Sequence, residues 1–189
     1  MKTETAAYWI DHLQLTPHPE GGYYKEVFRS DNKVTRQGSA DLKQAVTSIY
    51  YLLEGTDFSG FHRIASDELW YFHKGSALII HSIDESGGYT AHQLSDGQAG
   101  SLSVAIEAGA WFASEISGGE GFALVSCAVA PGFEFSEFEM GNKLQLKVKF
   151  QMCIRDRVNA ADIGANAWRR GLTRSSLRST RPLFTCGGK

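Results

Sequence analysis

His62 and Glu68 lie six residues apart in the run HRIASDELWYFHKG (62–75), and their types suit proton transfer or ligand binding. An imidazole titrates near working pH, so His62 can abstract a proton next to a carbonyl, and a carboxylate such as Glu68 can orient it. Strand alternation would place Trp70 and Phe72 on the face of Glu68 and turn Leu69, Tyr71 and His73 away. An apolar wall beside a buried carboxylate raises its pKa and suits an acid or a ligand role. Arg63 follows His62 directly and is a candidate to hold an anionic group, whereas Asp67 reads as a turn or surface residue. The competing reading is structural. It makes His62 and Glu68 a hydrogen-bonded polar pair in the interior, Arg63 half of a solvated ion pair, and the aromatic residues core.

A second concentration of polar groups is PHPEGGYYKEVFRS (17–30). Gly21 and Gly22 permit a bend or a close backbone approach. Glu20, Tyr23, Glu26 and Arg29 then fall within one strand's length. Glu20 or Glu26 is expected at a pocket rim, with Arg29 paired to a carboxylate. Glu20, Glu26 and Arg29 do not share one parity, so they cannot all face one cavity unless a bulge intervenes. The competing reading is a solvated edge strand at a dimer contact. Thr47 opens a strand and could donate its hydroxyl to the same pocket. In VAPGFEFSEFEMG (129–141), Phe133, Phe135 and Phe138 are expected to cover a barrel end or a subunit contact, with Glu134 and Glu137 exposed. No GxSxG, Walker loop, Rossmann fingerprint or CxxC is present. Cys127 has no activating base in sequence and reads as a buried thiol.

The elements that must carry these residues are mostly strands. Thr5–Leu15 has apolar residues at Ala6, Trp9, Ile10 and Leu13, which predicts a helix stopped by Pro17 and Pro19. Short β-branched or aromatic runs follow at 23–28, 46–53, 68–73, 77–83, 89–94, 101–106, 111–115 and 123–130. Gly, Asp and Ser clusters separate them. Strands at this spacing predict an all-β sandwich, jelly roll or small barrel.

Four blocks, LQLTPHPEGGYYKEVFRS, TSIYYLL, HRIASDELWYFHKG and CAVAPGFEFSEFE, together resemble the cupin-type family DUF985, also called cupin_5. The resemblance spans residues 5–149 and implies a cupin double-stranded β-helix, or jelly roll, with a short N-terminal helix, forming a homodimer. In the cupin superfamily a His-x-His pair and a Glu, joined by a third His, grip a metal. Here His62 and Glu68 match, but Ile64 stands at the second His and Phe112 at the third. Four N/O ligands are usual for such a site. With the ligand set incomplete, no cofactor is expected, and His62 and Glu68 are the residual candidates should a divalent metal bind. Metal-free sugar-nucleotide epimerases share the fold and use a His base with a Tyr acid. By that likeness His62 is the base and Tyr50 the opposing acid on a neighbouring strand. The leading expectation is a protein that binds a small polar or anionic molecule, as an isomerase- or epimerase-like enzyme on a sugar-nucleotide-like substrate. The alternatives are a non-catalytic small-molecule-binding module and a metal-dependent cupin enzyme.

Charge divides the chain. Residues 151–189 hold seven Arg and one Lys against two Asp, within a total net charge of −2, so the body is acidic. An acidic body argues against nucleic acid as a partner. MKTETAAYWIDHLQL is interrupted by Glu4, Asp11 and His12 and lacks a signal-peptide core. No run approaches the ~18 apolar residues of a membrane span, so no membrane partner and a cytoplasmic location are expected. One cupin domain over 1–149 is expected, followed by a basic, disordered tail over 150–189. QMCIRDR resembles translated sequencing-adaptor DNA, which makes that tail a candidate frame or assembly artefact; a natural basic arm is the alternative. Deleting Gln151–Lys189 should leave the melting temperature unchanged, because the tail's composition cannot build a matching core. A large fall on truncation would show that the tail docks on the domain.

Overall fold

The helix forms as its apolar spacing predicts, but it stops earlier and for a different reason. The computed structural model describes residues 4–141 and Leu146; the tail over 150–189 lies outside the described residues. Helix α1 (Ala6–Leu13) is capped by Thr5, whose hydroxyl accepts from the Tyr8 N–H at 3.2 Å. It ends where Gln14 enters the left-handed region at φ 55°, ahead of both prolines, and Pro17 already belongs to a strand. Ala6 and Leu15 pack on Leu52 and Leu124, so the helix covers one outer face of the sheet beneath it. No helix of the described residues is long and apolar enough to cross a membrane.

Thirteen strands follow among the described residues: β1 (Thr16–Pro17), β2 (Tyr23–Arg29), β3 (Lys33–Thr35), β4 (Leu42–Gln44), β5 (Thr47–Glu54), β6 (Phe58–Arg63), β7 (Asp67–Gly75), β8 (Leu78–Ile83), β9 (Tyr89–Leu94), β10 (Ser103–Ile106), β11 (Trp111–Ile116), β12 (Phe122–Ala130) and β13 (Glu139–Met140). One sheet has the order β1-β2-β5-β12-β7-β10 and the other β13-β6-β11-β8-β9, while β3 and β4 form a separate ribbon. The pairings between these strands are antiparallel, and the two large sheets share one core. Tyr51, Trp70 and Val125 from the first sheet pack with Ile80, Phe112 and Ile116 from the second. This is the jelly roll that the strand spacing and the family resemblance imply.

All eight strand runs form, with ends shifted by a residue or two. The run pattern passes over the short strands β1, β3, β4 and β13 and also β6, FSGFHR, which carries His62. Its Ser59 and Gly60 have poor strand propensity, but β6 is paired on both sides, with His62 opposite Phe112 of β11 and Met140 of β13. Tertiary pairing overrides local preference there.

Ion pairs hold the ribbon against the segment after β12. Arg36 donates to both carboxylate oxygens of Glu137, at 3.1 and 3.2 Å, and to Ser66 Oγ at 2.9 Å. Lys43 reaches Glu134 at 2.7 Å and Glu137 at 3.2 Å. Glu134 and Glu137 are therefore engaged, not freely exposed as expected, because the ribbon folds back over them. This clamp positions Phe133 and Phe135.

The chain enters β2 through Gly21 and Gly22. Gly22 sits at φ +71°, and a Cβ there would lie 2.5 Å from the Leu52 carbonyl oxygen and 2.6 Å from Leu53 Cδ2. No side chain fits without displacing β5. Gly22→Ala should cost about 1–3 kcal/mol from backbone strain alone, with further loss from the clash, read as a lower denaturation midpoint. A variant as stable as the parent would show that the turn relaxes freely.

Candidate functional site

A pocket of about 140 Å³ opens between the two sheets. Strand parity selects what lines it. From β5 come Thr47, Ile49 and Tyr51; from β7, Glu68 and Trp70; from β12, Cys127 and Val129; from β6 and the residue after it, His62 and Ile64. The β2 side supplies His18, Glu20, Tyr24, Glu26 and Arg29, and Phe133 and Phe135 close the mouth. The register of β2 on β5 slips between Glu26 and Phe28, so Glu26 stands opposite Ile49 and Arg29 opposite Thr47. That bulge puts both on the pocket face, which regular alternation would forbid.

Seven of the candidate residues thus converge: Glu20, Glu26, Arg29, Thr47, His62, Glu68 and Trp70. Four do not line the pocket. Tyr50 has the wrong parity: it packs beneath α1 and lies edge-on to His73, while Tyr51 takes the inward place. Tyr23 joins the same helix-side cluster, and Tyr24 faces in instead. Arg63 turns outward, donating to Glu139 at 2.6 and 2.8 Å with its guanidinium over Trp111. It is thus an exposed ion pair and holds no group in the pocket. Phe72 is buried on the predicted face but sits deeper, in the shared core. His18, Tyr24, Tyr51, Ser59 and Cys127 were not singled out as site residues. For Tyr51 the signal was present: Thr47 and Tyr51 are four apart and must share a strand face.

Glu20 is the central acceptor. Its side chain is 9% exposed; Ser59 Oγ donates to Oε2 at 2.9 Å, and the Glu20 N–H donates to His18 Nδ1 at 3.3 Å. Tyr51 donates its hydroxyl to the Gly21 carbonyl at 2.7 Å, which ties the turn to β5. His62 Nδ1 lies 2.8 Å from the Gly60 carbonyl and 3.3 Å from Glu20 Oε2. The shorter contact, to an obligate acceptor, assigns the single N–H to Gly60 and leaves the lone pair on Nε2. The approach to Glu20 is not an ion pair, because burial, opposed only by the bond to Gly60, holds His62 down to about 4.

Burial moves the carboxyls the other way. Desolvation first, and then the neighbouring Glu20 charge, push Glu68 up to about 8, against the Cys127 hydrogen bond that lowers it. Desolvation raises Glu20 to about 7, opposed by His18 and the Ser59 bond. Burial likewise lowers His18 and pushes the Cys127 thiol well up, which disfavours the thiolate. Near neutrality the same pocket holds a neutral imidazole and a carboxyl kept toward its protonated form. These are the two forms that general base and general acid require.

The donor set does not fit the superfamily's metal. Ile64 and Phe112 occupy two ligand positions, and the Phe112 ring packs on His62 with centroids 4.1 Å apart. Among the described residues no three His, Cys, Asp or Glu side chains are grouped to hold an ion.

Residues 7–141 match the family described as Cupin superfamily (DUF985). The chain belongs to that family. This cupin is 30% identical over 152 residues to the uncharacterized protein YML079W of Saccharomyces cerevisiae, covering 68% of this chain and 71% of the relative. Among solved structures it is similar to a hypothetical protein from Leishmania major, with 36% identity, a TM-score of 0.73, and coverage of 79% of this chain and 94% of the other. It is also similar to protein SO0799 from Shewanella oneidensis, with 34% identity, a TM-score of 0.71, and coverage of 78% and 91%.

The shifted groups make stability depend on pH. Glu68 and Glu20 rise from 4.5 on folding, to about 8 and about 7, so the folded chain retains protons that the unfolded chain releases, and stability falls as pH rises through that window. His62 drops from 6.5 to about 4, so between those values stability rises with pH and partly offsets the carboxyls. Above about 6.5 the carboxyls act alone. The melting temperature should therefore fall between about pH 6.5 and 8, and Glu68→Gln should flatten the upper part of that fall. A flat or rising profile in the parent would show that the carboxyls are not buried as described.

Proposed function

We propose that this cupin binds a small polar organic molecule in the jelly-roll pocket and moves a proton on it, as an isomerase- or epimerase-like enzyme. The observation that carries this reading is the presence, in one pocket, of a neutral imidazole and a protonated carboxyl brought about by opposite effects of burial. His62 Nε2 takes a proton from a carbon next to a carbonyl, and Glu68 gives one to the carbonyl oxygen or to the opposite face. Glu68 replaces Tyr50 as the acid, since Tyr50 lies on the other side of its sheet. Cys127, bonded to Glu68, orients that carboxyl. Both competent forms coexist between about pH 4 and about 8, so activity should follow a bell between those limits.

The sugar-nucleotide class is narrowed by the pocket's charges. The lining guanidinium, Arg29, is engaged by Glu26 at 2.9 and 2.6 Å, which leaves little to hold a diphosphate. A small hydroxy-carbonyl compound is the better match to this pocket. Binding without turnover is the second reading, favoured by the low basicity of an imidazole held near 4.

The test is proton exchange at carbon. Small aldoses, ketoses and hydroxy acids are incubated with the protein in D2O and followed by NMR. Deuterium should enter next to the carbonyl of at least one compound, and His62→Gln or Glu68→Gln should slow this by about 10²-fold or more while the protein stays folded. A compound that raises the melting temperature without any exchange would leave the binding module as the function. Variants that lose stability yet keep a normal ligand response would remove both residues from the mechanism.

A further inference from the structure

Three carboxyls line the pocket, and among the described residues its one guanidinium, Arg29, is paired with Glu26, which leaves Glu20 and Glu68 without a cation of their own. Glu20 and Glu68 both line it, with Glu68 7% exposed as a residue and the Glu20 side chain 9% exposed. The protein gives each of them little. Glu20 Oε2 takes the Ser59 hydroxyl, but Oε1 has His18 Nδ1 no nearer than 3.9 Å, and that nitrogen already accepts from the Glu20 backbone. Glu68 has the weak thiol donor of Cys127. Burying a carboxylate with so few donors is costly unless a further partner arrives.

The basic groups of the lining are occupied or uncharged. Arg29 forms a two-point pair with Glu26 and also donates to the Phe133 carbonyl at 3.3 Å. His62 commits its N–H to Gly60, and burial keeps both His62 and His18 neutral. Arg36 and Lys43 of the ribbon and Arg63 of β6 pair with Glu137, Glu134 and Glu139, and neither they nor Lys33 of the ribbon line the pocket.

Much of the remaining wall is aromatic, from Tyr24, Tyr51, Trp70, Phe133 and Phe135, beside the aliphatic Ile49, Ile64 and Val129. Ring faces attract cations, most of all where water is excluded. Trp70, 3% exposed, lines the same wall, with its indole N–H enclosed in the protein.

We infer that the ligand of this pocket carries an ammonium group, which Glu20 binds through Oε1 against the aromatic wall. The occupant is then a small amine with a hydroxyl or carbonyl, such as an amino sugar or amino ketone, and not an organic anion. This rests on the pocket proposed above as the functional site and specifies its substrate class. Glu20 is the charge-binding residue, and His62 and Glu68 keep the proton-transfer roles.

The test is isothermal titration calorimetry at neutral pH on the full chain with three scaffolds, each in ammonium, neutral and carboxylate form. They are glucosamine, glucose and glucuronate; butylamine, butanol and butyrate; benzylamine, benzyl alcohol and benzoate. On at least one scaffold the ammonium form should bind about tenfold or more tightly than the neutral form, with the carboxylate weakest. Glu20→Gln, which keeps shape and removes charge, should erase that preference. The inference is overturned if neutral or carboxylate forms match the amine on every scaffold, if none of the nine compounds binds, or if the preference survives in a folded Glu20→Gln. The wild-type ranking stands as a test even if that variant misfolds. Neutral compounds that bind and show exchange dependent on His62 would sink the amine assignment and leave the proton-transfer reading intact.

Discussion

Withdrawal of ionisable groups from water is the constraint on which the rest of this structure depends. His62, Glu20 and Glu68 sit between two sheets whose shared interior is apolar and aromatic. Charged forms are expensive there, and the protein does not offset them with buried cations. The imidazole stays neutral and the carboxyls hold their protons toward neutral pH. What would be a network of ion pairs on the surface becomes a set of neutral donors and acceptors inside. Arg36, Lys43 and Arg63 stay outside the pocket on Glu137, Glu134 and Glu139, and Arg29, which lines it, is paired with Glu26.

The scaffold supplies each member of that set by a separate device. A bulge in β2 returns Arg29 to the pocket face beside Glu26, and the Gly21–Gly22 turn brings His18 and Glu20 under the end of β5. Pairing on both sides holds β6 as a strand and fixes His62 against the Phe112 ring. The clamp from Arg36 and Lys43 holds the segment that carries Phe133 and Phe135. Ile64 and Phe112 are buried, and the Phe112 ring packs on His62 within the apolar interior.

Much of this was legible in the residues. The apolar spacing of α1, the eight strand runs, and the shared face of Glu68, Trp70 and Phe72 all follow from periodicity, because burial on one side of a strand is written as a two-residue alternation. The four motif blocks carried the family. The conditional expectation for Glu20, Glu26 and Arg29 was sound as well: three residues of mixed parity needed a bulge, and one is there.

What alternation could not decide was registry and depth. Tyr50 and Tyr51 are adjacent and chemically alike, and only the position of α1 on one face of β5 settles which hydroxyl faces the pocket. Phe72 shares a face with Glu68 yet lies too deep to touch a ligand, because depth depends on where the opposite sheet closes. Strand β6, weakened by Ser59 and Gly60, is held as a strand by its neighbours β11 and β13. Arg63 points outward because β13 brings Glu139 beside it. By itself the sequence determined the fold family, the faces of the long strands and the chemical types available at the site, since those depend on local pattern. Which groups meet in the pocket, and which protonation states they hold there, was decided by tertiary structure, because solvent exclusion and cross-sheet contact belong to no single segment.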